Sequence, residues 1–317
     1  MPRQTILVTG ANDQLGRELQ AIAENFPQFS FSFHDRTTLN LDNPASITAT
    51  LTREQPAWCI NCAAYTAVDK AESEKDLAFH INGEAVGHLA AACRVSGAKL
   101  IHISTDYVFD GLSATPLKES DPTNPINTYG ASKLAGEQNA LRENPDATLI
   151  IRTSWVYSEF GNNFVRTMIR LMKERPAISV VSDQIGSPTY AADLASAILH
   201  IIAAPSFVLD PAPTFLPVLP SVPGLAPVLD TAPSFVPGIY NYSNEGQISW
   251  YEFAVAIREL THSTCTVNPI PSSQFPTPAK RPHYSLLDKT LISQTYGLTI
   301  PDWRPSLATC LTRLSAG

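Results

Sequence analysis

No stretch of the 317 residues approaches the roughly 18 consecutive apolar residues that a membrane-crossing helix needs, so no spanning segment is expected. Cysteine is sparse and odd in number. Cys59, Cys62, Cys93, Cys265 and Cys310 are scattered, which suits a reducing cytoplasm and no disulfide framework. No His/Cys cluster has metal-ligand spacing, so no metal is expected. Basic charge is in deficit: 22 Lys and Arg stand against 29 Asp and Glu. The resulting net charge of −7 argues against nucleic acid or an anionic membrane as partner. A phosphate-bearing ligand must therefore be met by local donors. Met1-Pro2-Arg3-Gln4 runs straight into a strand-like stretch, so no signal peptide is expected.

Strand-like and helix-like runs alternate along the chain. β-branched and apolar runs predict strands at 6–9, 30–34, 58–62, 99–104, 148–152, 178–181 and 239–242. Apolar spacing near 3.6 predicts helices at 14–24, 44–54, 75–96, 128–142, 163–174, 191–203 and 249–260. This βαβ alternation predicts an α/β fold, a doubly wound parallel Rossmann sheet covered on both faces, with a smaller C-terminal α/β substrate domain. The expected division is 1–157 for dinucleotide binding, with 189–204 and 238–242 returning to it, and 158–188 plus 243–317 for substrate. Cys59 and Cys62 fall in the third strand-like run, where residues three apart face opposite sides, so they read as core thiols and not as a redox pair.

Residues 205–237 break the pattern with nine prolines and internal repetition: Ala204-Pro205-Ser206-Phe207 returns as Ala232-Pro233-Ser234-Phe235. Such proline density forbids helix and sheet interior and favours extended or disordered chain. The segment is expected to be an insertion, either a tolerated surface expansion or an apolar docking arm.

The first strand leads into Gly10-Ala11-Asn12-Asp13-Gln14-Leu15-Gly16 and then a helix, the context of a dinucleotide fingerprint. Gly10 permits the sharp turn, Gly16 permits close helix packing, and the helix N-terminus offers N–H groups to a pyrophosphate. The middle glycine of such loops is Asp13, a residue that tolerates left-handed backbone. Asp35, at the end of the second strand, suits the adenosine ribose hydroxyls, and Arg36 beside it suits a 2′-phosphate. With both present, NADH and NADPH remain equally open.

Ser104-Thr105-Asp106-Tyr107-Val108-Phe109 and Tyr129-Gly130-Ala131-Ser132-Lys133 supply a hydroxyl, a phenol and an ammonium. Tyr129 and Lys133 lie four apart, on one face of a helix. Lys133 is expected to lower the phenol pKa from its usual value near 10 and to bond a cofactor ribose. Tyr129 would then protonate a carbonyl oxygen as hydride reaches the carbon, with Thr105 orienting that oxygen.

Taken with Thr66-Ala67-Val68-Asp69-Lys70-Ala71-Glu72, Arg152-Thr153-Ser154-Trp155, Gly161-Asn162-Asn163-Phe164 and Arg281-Pro282-His283-Tyr284, these motifs resemble the dTDP-4-dehydrorhamnose reductases, of the extended short-chain dehydrogenase/reductase group. The resemblance covers nearly the whole chain outside 205–237. It implies reduction of the 4-keto group of dTDP-4-dehydro-6-deoxy-L-mannose to dTDP-L-rhamnose, with NADPH or NADH. It places Thr105, Tyr129 and Lys133 in catalysis. It places Asp13, Gln14 and Leu15 on the pyrophosphate, Asn40 and Leu41 on the adenine, and Ala63, Ala64 and Tyr65 along the cofactor ribose. Thr66, Val68, Thr105, Asp106, Tyr129 and Trp155 are implied on the sugar nucleotide, with Trp250, Lys280 and Arg281 capping it and Arg281 on its diphosphate. Of the acidic and histidine residues that link some members through a metal, only Glu18 has a counterpart; Ala192, Tyr251 and Glu252 do not reproduce the rest. A monomer or homodimer is expected. Two other readings stay open: another nucleotide-sugar epimerase or reductase of the group, and a non-catalytic subunit like that of methionine adenosyltransferase.

Overall fold

A computed structural model of the chain describes residues 3–203 and 235–316. Most of the proline-rich segment lies outside the described residues, so neither expectation for it is addressed.

The N-terminal half builds β1 (Gln4–Thr9), α1 (Gln14–Ile22), β2 (Phe29–His34), α2 (Pro44–Glu54), β3 (Trp58–Asn61), α3 (Val68–Ala71), α4 (Lys75–Phe79), α5 (Ala85–Ser96), β4 (Lys99–Thr105), α6 (Thr128–Glu143) and β5 (Thr148–Thr153). There follow β6 (Val156–Tyr157), α7 (Phe164–Glu174), β7 (Ala177–Val181), β8 (Ile185–Gly186), β9 (Thr189–Tyr190), α8 (Ala191–Ala203) and β10 (Gly238–Asn241). The chain ends with β11 (Ile248–Ser249), α9 (Trp250–Leu260), β12 (Thr266–Ile270), α10 (Thr290–Tyr296) and α11 (Trp303–Ala316).

Six parallel strands form the central sheet in the order β10-β5-β4-β3-β1-β2. The order reverses at β1, and ligands of such sheets bind beyond the strand C-termini at that reversal. Strand alternation sends Ile6, Val8, Trp58, Ile60 and Ile101 to one face, against α1 and α8. Leu7, Cys59 and Leu100 go to the other face, against α2, α5 and α6. Each such fully buried aliphatic side chain contributes about 1.5–3 kcal/mol. A further core gathers Tyr157, Val165, Met168, Phe253, Ile257, Val267 and Leu307. It is roofed by the pairs β7–β12 and β8–β11.

The expected strands and helices of the Rossmann part are present with shifts of one or two residues at their ends. The predicted helix 75–96 is one exception. It is α4 and α5 joined by a wide turn at His80–Glu84 of i to i+5 type. There Asn82 turns inward, accepting from Tyr65 N (2.8 Å) and donating to Ser132 Oγ (3.0 Å). Cys59 joins the α5 side of the sheet and Cys62 the opposite side.

Candidate active site

Gly10 leaves β1 at φ +64°. A Cβ there would come within 2.6 Å of Ala63 N, and one on Gly16 would strike Gly10 O. Both glycines are thus demanded by close backbone approach at the sheet reversal. Asp13 caps α1 in extended conformation at φ −79°, so the left-handed tolerance anticipated for it is not needed. Burial raises its carboxyl above the usual carboxylate range. Gln14 Oε1 accepts from Asn163 Nδ2 at 2.9 Å, and Leu15 is buried.

A cavity of about 340 Å³ runs from this turn past Asn12, Asp35, Arg36, Asn40 and Leu41 to Ala63 and Ala64. Asp35 is held in a turn: Thr37 donates twice to its Oδ1, Thr38 N joins them, and Asn12 Nδ2 donates to Oδ2. Those donors, the Thr37 hydroxyl first, pull its carboxyl down to about 2. Arg36 pairs with Asp42 at 2.8 Å and is 74% exposed. Tyr65 departs from its anticipated place. It does not line the cavity, and its phenol donates to Glu74 Oε2 instead.

The adjoining cavity, about 630 Å³, shares Asn12, Asp13 and Ala64 with the first. It brings together Gln14, Leu15, Thr66, Val68, Thr105, Asp106, Tyr129, Lys133 and Trp155. Thr105 ends β4, and Tyr129 and Lys133 stand on α6, whose N-cap Asn127 accepts from Gly130 N at 2.7 Å. Lys133 Nζ donates to Ile103 O at 2.6 Å. Burial draws its ammonium down to about 8, opposed by the charges of Glu137 and Cys62.

The lowered phenol pKa expected for Tyr129 is corrected by the structure. Burial, and then repulsion from Asp106, push it up to about 12, with the Thr105 hydroxyl pulling the other way. Spacing on a helix showed that a cation was near but not that water was excluded from the ring. Asp106 is itself pushed up to about 7 by burial, against the hydroxyls of Ser285 and Thr105. Its Oδ1 accepts from Thr105 Oγ1 at 3.0 Å; the Ser285 hydroxyl lies near enough to act on the carboxyl but completes no bond to the buried Oδ2.

Trp155 sits in left-handed backbone at φ +49°, rare for an aromatic residue, and stacks on Trp250 at 3.7 Å between ring centroids. Gly186 makes room for it: a Cβ there would lie 2.9 Å from the Trp155 ring. Unlike Trp250, Arg281 does not line the central cavity. It lines a neighbouring cavity of about 240 Å³ with Gln184 and Phe275, sharing the walls Phe164 and Trp250. Its guanidinium is paired with Asp69 at 2.8 Å. Lys280 contributes its carbonyl, accepting from Asn127 Nδ2. Cys62, Phe164 and Leu194 also line the central cavity without having been singled out for it; of these, only Phe164 carried a signal, within Gly161-Asn162-Asn163-Phe164. A larger cleft, about 1010 Å³ between α7, α9 and α11, contains none of the predicted site residues.

Among the described residues no three His, Cys, Asp or Glu side chains converge as a metal cage. Glu18 is fully buried, accepting from Ser158 Oγ at 2.6 Å, with Arg313 at 3.9 Å. Glu252 closes a capping box with Ser249.

The family model described as the RmlD substrate binding domain matches residues 4–208 and 224–316. The chain belongs to this family. A relative from Burkholderia thailandensis, a dTDP-4-dehydrorhamnose reductase, is 38% identical over 98% of both chains. The crystal structure of a dTDP-4-dehydrorhamnose reductase from Clostridium acetobutylicum superposes with a TM-score of 0.86 at 37% identity, covering 98% of this chain and all of that one. One from Bacillus anthracis, in complex with NADP, gives 0.85 at 37% identity with the same coverage. The two matched stretches leave out only residues 209–223 between them.

Proposed function

We propose that this protein reduces the 4-keto group of dTDP-4-dehydro-6-deoxy-L-mannose with NADPH or NADH, giving dTDP-L-rhamnose. The observation that carries the reading is one continuous cleft. The groove at Gly10, Asp13 and Ala64 opens into the cavity holding Thr105, Tyr129 and Lys133. The groove fits a dinucleotide: Gly10 and Gly16 have no space for a Cβ, and Asp35 is an ionised acceptor at the end of β2. The Bacillus anthracis relative holds NADP. Arg36 is the exposed cation beside Asp35.

Bound reduced nicotinamide would supply the hydride. Tyr129 keeps its proton on Oη throughout the neutral range and delivers it to the new alkoxide. Lys133, held to Ile103 O, keeps a positive charge beneath that site below about pH 8. Thr105 orients the carbonyl oxygen, and the unpartnered Asp106 Oδ2 accepts from a sugar hydroxyl. Trp155 offers the apolar sugar face a flat wall backed by Trp250. Arg281 serves the diphosphate, and Asn40 and Leu41 serve the adenine.

We assign 1–157, with 189–204 and 238–242, to cofactor binding and 158–188 plus 243–317 to substrate; the core around Phe253 is drawn mainly from the substrate part, with Tyr157, Tyr190 and Ala192 reaching into it from the other. No helix of the described residues is long and apolar enough to cross a membrane, and a cytoplasmic monomer or homodimer is the proposed state. Mixing the protein with NADPH and the 4-keto sugar tests the reading. Loss of the nicotinamide absorbance with formation of dTDP-L-rhamnose supports it, and unchanged absorbance at saturating substrate overturns it.

A further inference from the structure

The segment from Thr66 to Glu72 contains the four-residue helix α3, and it reaches two distant parts of the chain. Glu72 grips the start of α6. Its Oε1 accepts from Thr128 N at 2.7 Å and its Oε2 from Thr128 Oγ1 at 3.1 Å. Thr128 is the first residue of α6, where backbone N–H groups lack intrahelical partners and a carboxylate is favoured by the helix dipole. Tyr129 is the next residue. A bidentate hold on Thr128 therefore fixes how the first turn of α6 is rotated, and with it where the Tyr129 phenol points.

Asp69 holds the other end. Its Oδ1 accepts from Ala279 N at 3.2 Å and from Arg281 Nη1 at 3.0 Å, and its Oδ2 from Arg281 Nη2 at 2.8 Å. Arg281 Nη1 also donates to Ala279 O. Of the five guanidinium N–H groups, Nε–H and one hydrogen on Nη2 are left over from these bonds. Tyr107 also lies within hydrogen-bond reach of the guanidinium. The fork, oriented by Asp69, thus turns its remaining donors toward that phenol oxygen and a second anion. Asn127 Nδ2 donates to Lys280 O at 2.7 Å, tying the α6 cap directly to the Arg281 segment. Three polar ties thus join α3, the head of α6 and residues 279–281.

We propose that Glu72 and Asp69 are positioning residues on the two arms of one clip, Glu72 aiming Tyr129 at the sugar carbonyl and Asp69 presenting Arg281 to the diphosphate of the nucleotide. The proposal rests on the reductase reading above and deepens it. Each arm has its own kinetic signature. Glu72 acts on the proton donor, so its loss lowers kcat. Asp69 acts on a binding cation remote from the carbonyl, so its loss weakens nucleotide binding.

The test measures turnover of the 4-keto sugar, dTDP affinity by calorimetry, and Tm for the full chain and its variants. Glu72→Ala is expected to lower kcat about ten- to a hundredfold, with dTDP affinity within about twofold. Glu72→Gln, which keeps an acceptor for Thr128 N, is expected to recover most of that rate. Asp69→Ala is expected to raise KM and the dTDP dissociation constant about tenfold, with kcat within about twofold. Variants that change kcat and dTDP affinity in equal proportion, alongside a common loss of Tm, overturn the clip in favour of a merely structural role. Variants that change neither overturn it as well. A parent protein that binds dTDP without reducing the sugar overturns the reductase reading alone and leaves the Asp69 arm to be judged by affinity. A parent that does neither overturns both.

Discussion

Arg152 and Glu137 form an ion pair inside the protein: Nη2 lies 2.7 Å from Oε2, Nε lies 2.9 Å from Oε1, and the side chains are 3% and 2% exposed. Ser104 Oγ donates to the same carboxylate, so Glu137 binds the ends of β4 and β5 to α6, one turn after Lys133. Removing one partner leaves the other charge buried and unpaired. Glu137→Ala should therefore cost about 3–5 kcal/mol, read as a loss of denaturation midpoint. The double variant Glu137→Leu with Arg152→Met, which removes both charges, should lose markedly less. Equal losses would contradict this account.

Tyr129→Phe deletes the proton and little volume. Turnover should fall roughly 10²- to 10⁴-fold, with NADPH affinity largely kept. A variant as fast as the parent would remove Tyr129 from the chemistry.

The pH profile follows from the two buried groups on α6. Tyr129, pushed up to about 12, stays protonated across the working range. Lys133, drawn down to about 8, loses its charge as pH rises through that value. The rate should therefore hold below about pH 8 and decline above it. Lys133→Met should be slow and lack that alkaline limb. A parent profile flat to pH 10 would separate the ammonium from the rate.

Glu18 has its carboxyl raised to about 8, by burial first. Its folded pKa exceeds the unfolded one, so its protonated form favours folding at low pH and that contribution is lost as pH rises through about 8. The parent should show a Tm contribution that falls from about pH 4.5 to about pH 8 and levels off above that. Glu18→Gln, neutral at every pH, should flatten that slope and be the more stable form at pH 9. Parallel Tm curves for the two proteins would show that Glu18 does not titrate there.

The elements that sequence exposed most clearly were those governed by local physics. α2 runs from Pro44 to Glu54 as predicted, because Asn43 caps it and proline starts it. β3 and β4 are buried apolar runs that read as strands on sight. The turn at His80–Glu84 stayed hidden, because its apolar spacing is that of a continuous helix and only tertiary bonds from Asn82 explain the widening. β12 carries Pro269, and β6, β8, β9 and β11 are two residues long, too short for any period to show. α10 and α11 were not anticipated at all. In the site, the Thr105, Tyr129 and Lys133 grouping was legible from helical spacing and one adjoining strand. The Asp69–Arg281 pair was not, since its partners are 212 positions apart. Neither was the raised phenol of Tyr129, since exclusion of water is a property of the packed molecule.

The place of β10 in the sheet has a consequence for how the protein is made. Five of the six strands are complete once residue 153 has been synthesised, and each of them pairs with another of the five. β10 follows only at Gly238–Asn241 and docks on β5. During translation β5 is thus an open hydrogen-bonding edge while the ribosome adds the intervening residues, and at about 5–20 residues per second that interval lasts several seconds. A nascent chain halted before Gly238 presents that edge to its neighbours, and arrest at that point is where self-association of the polypeptide is to be sought.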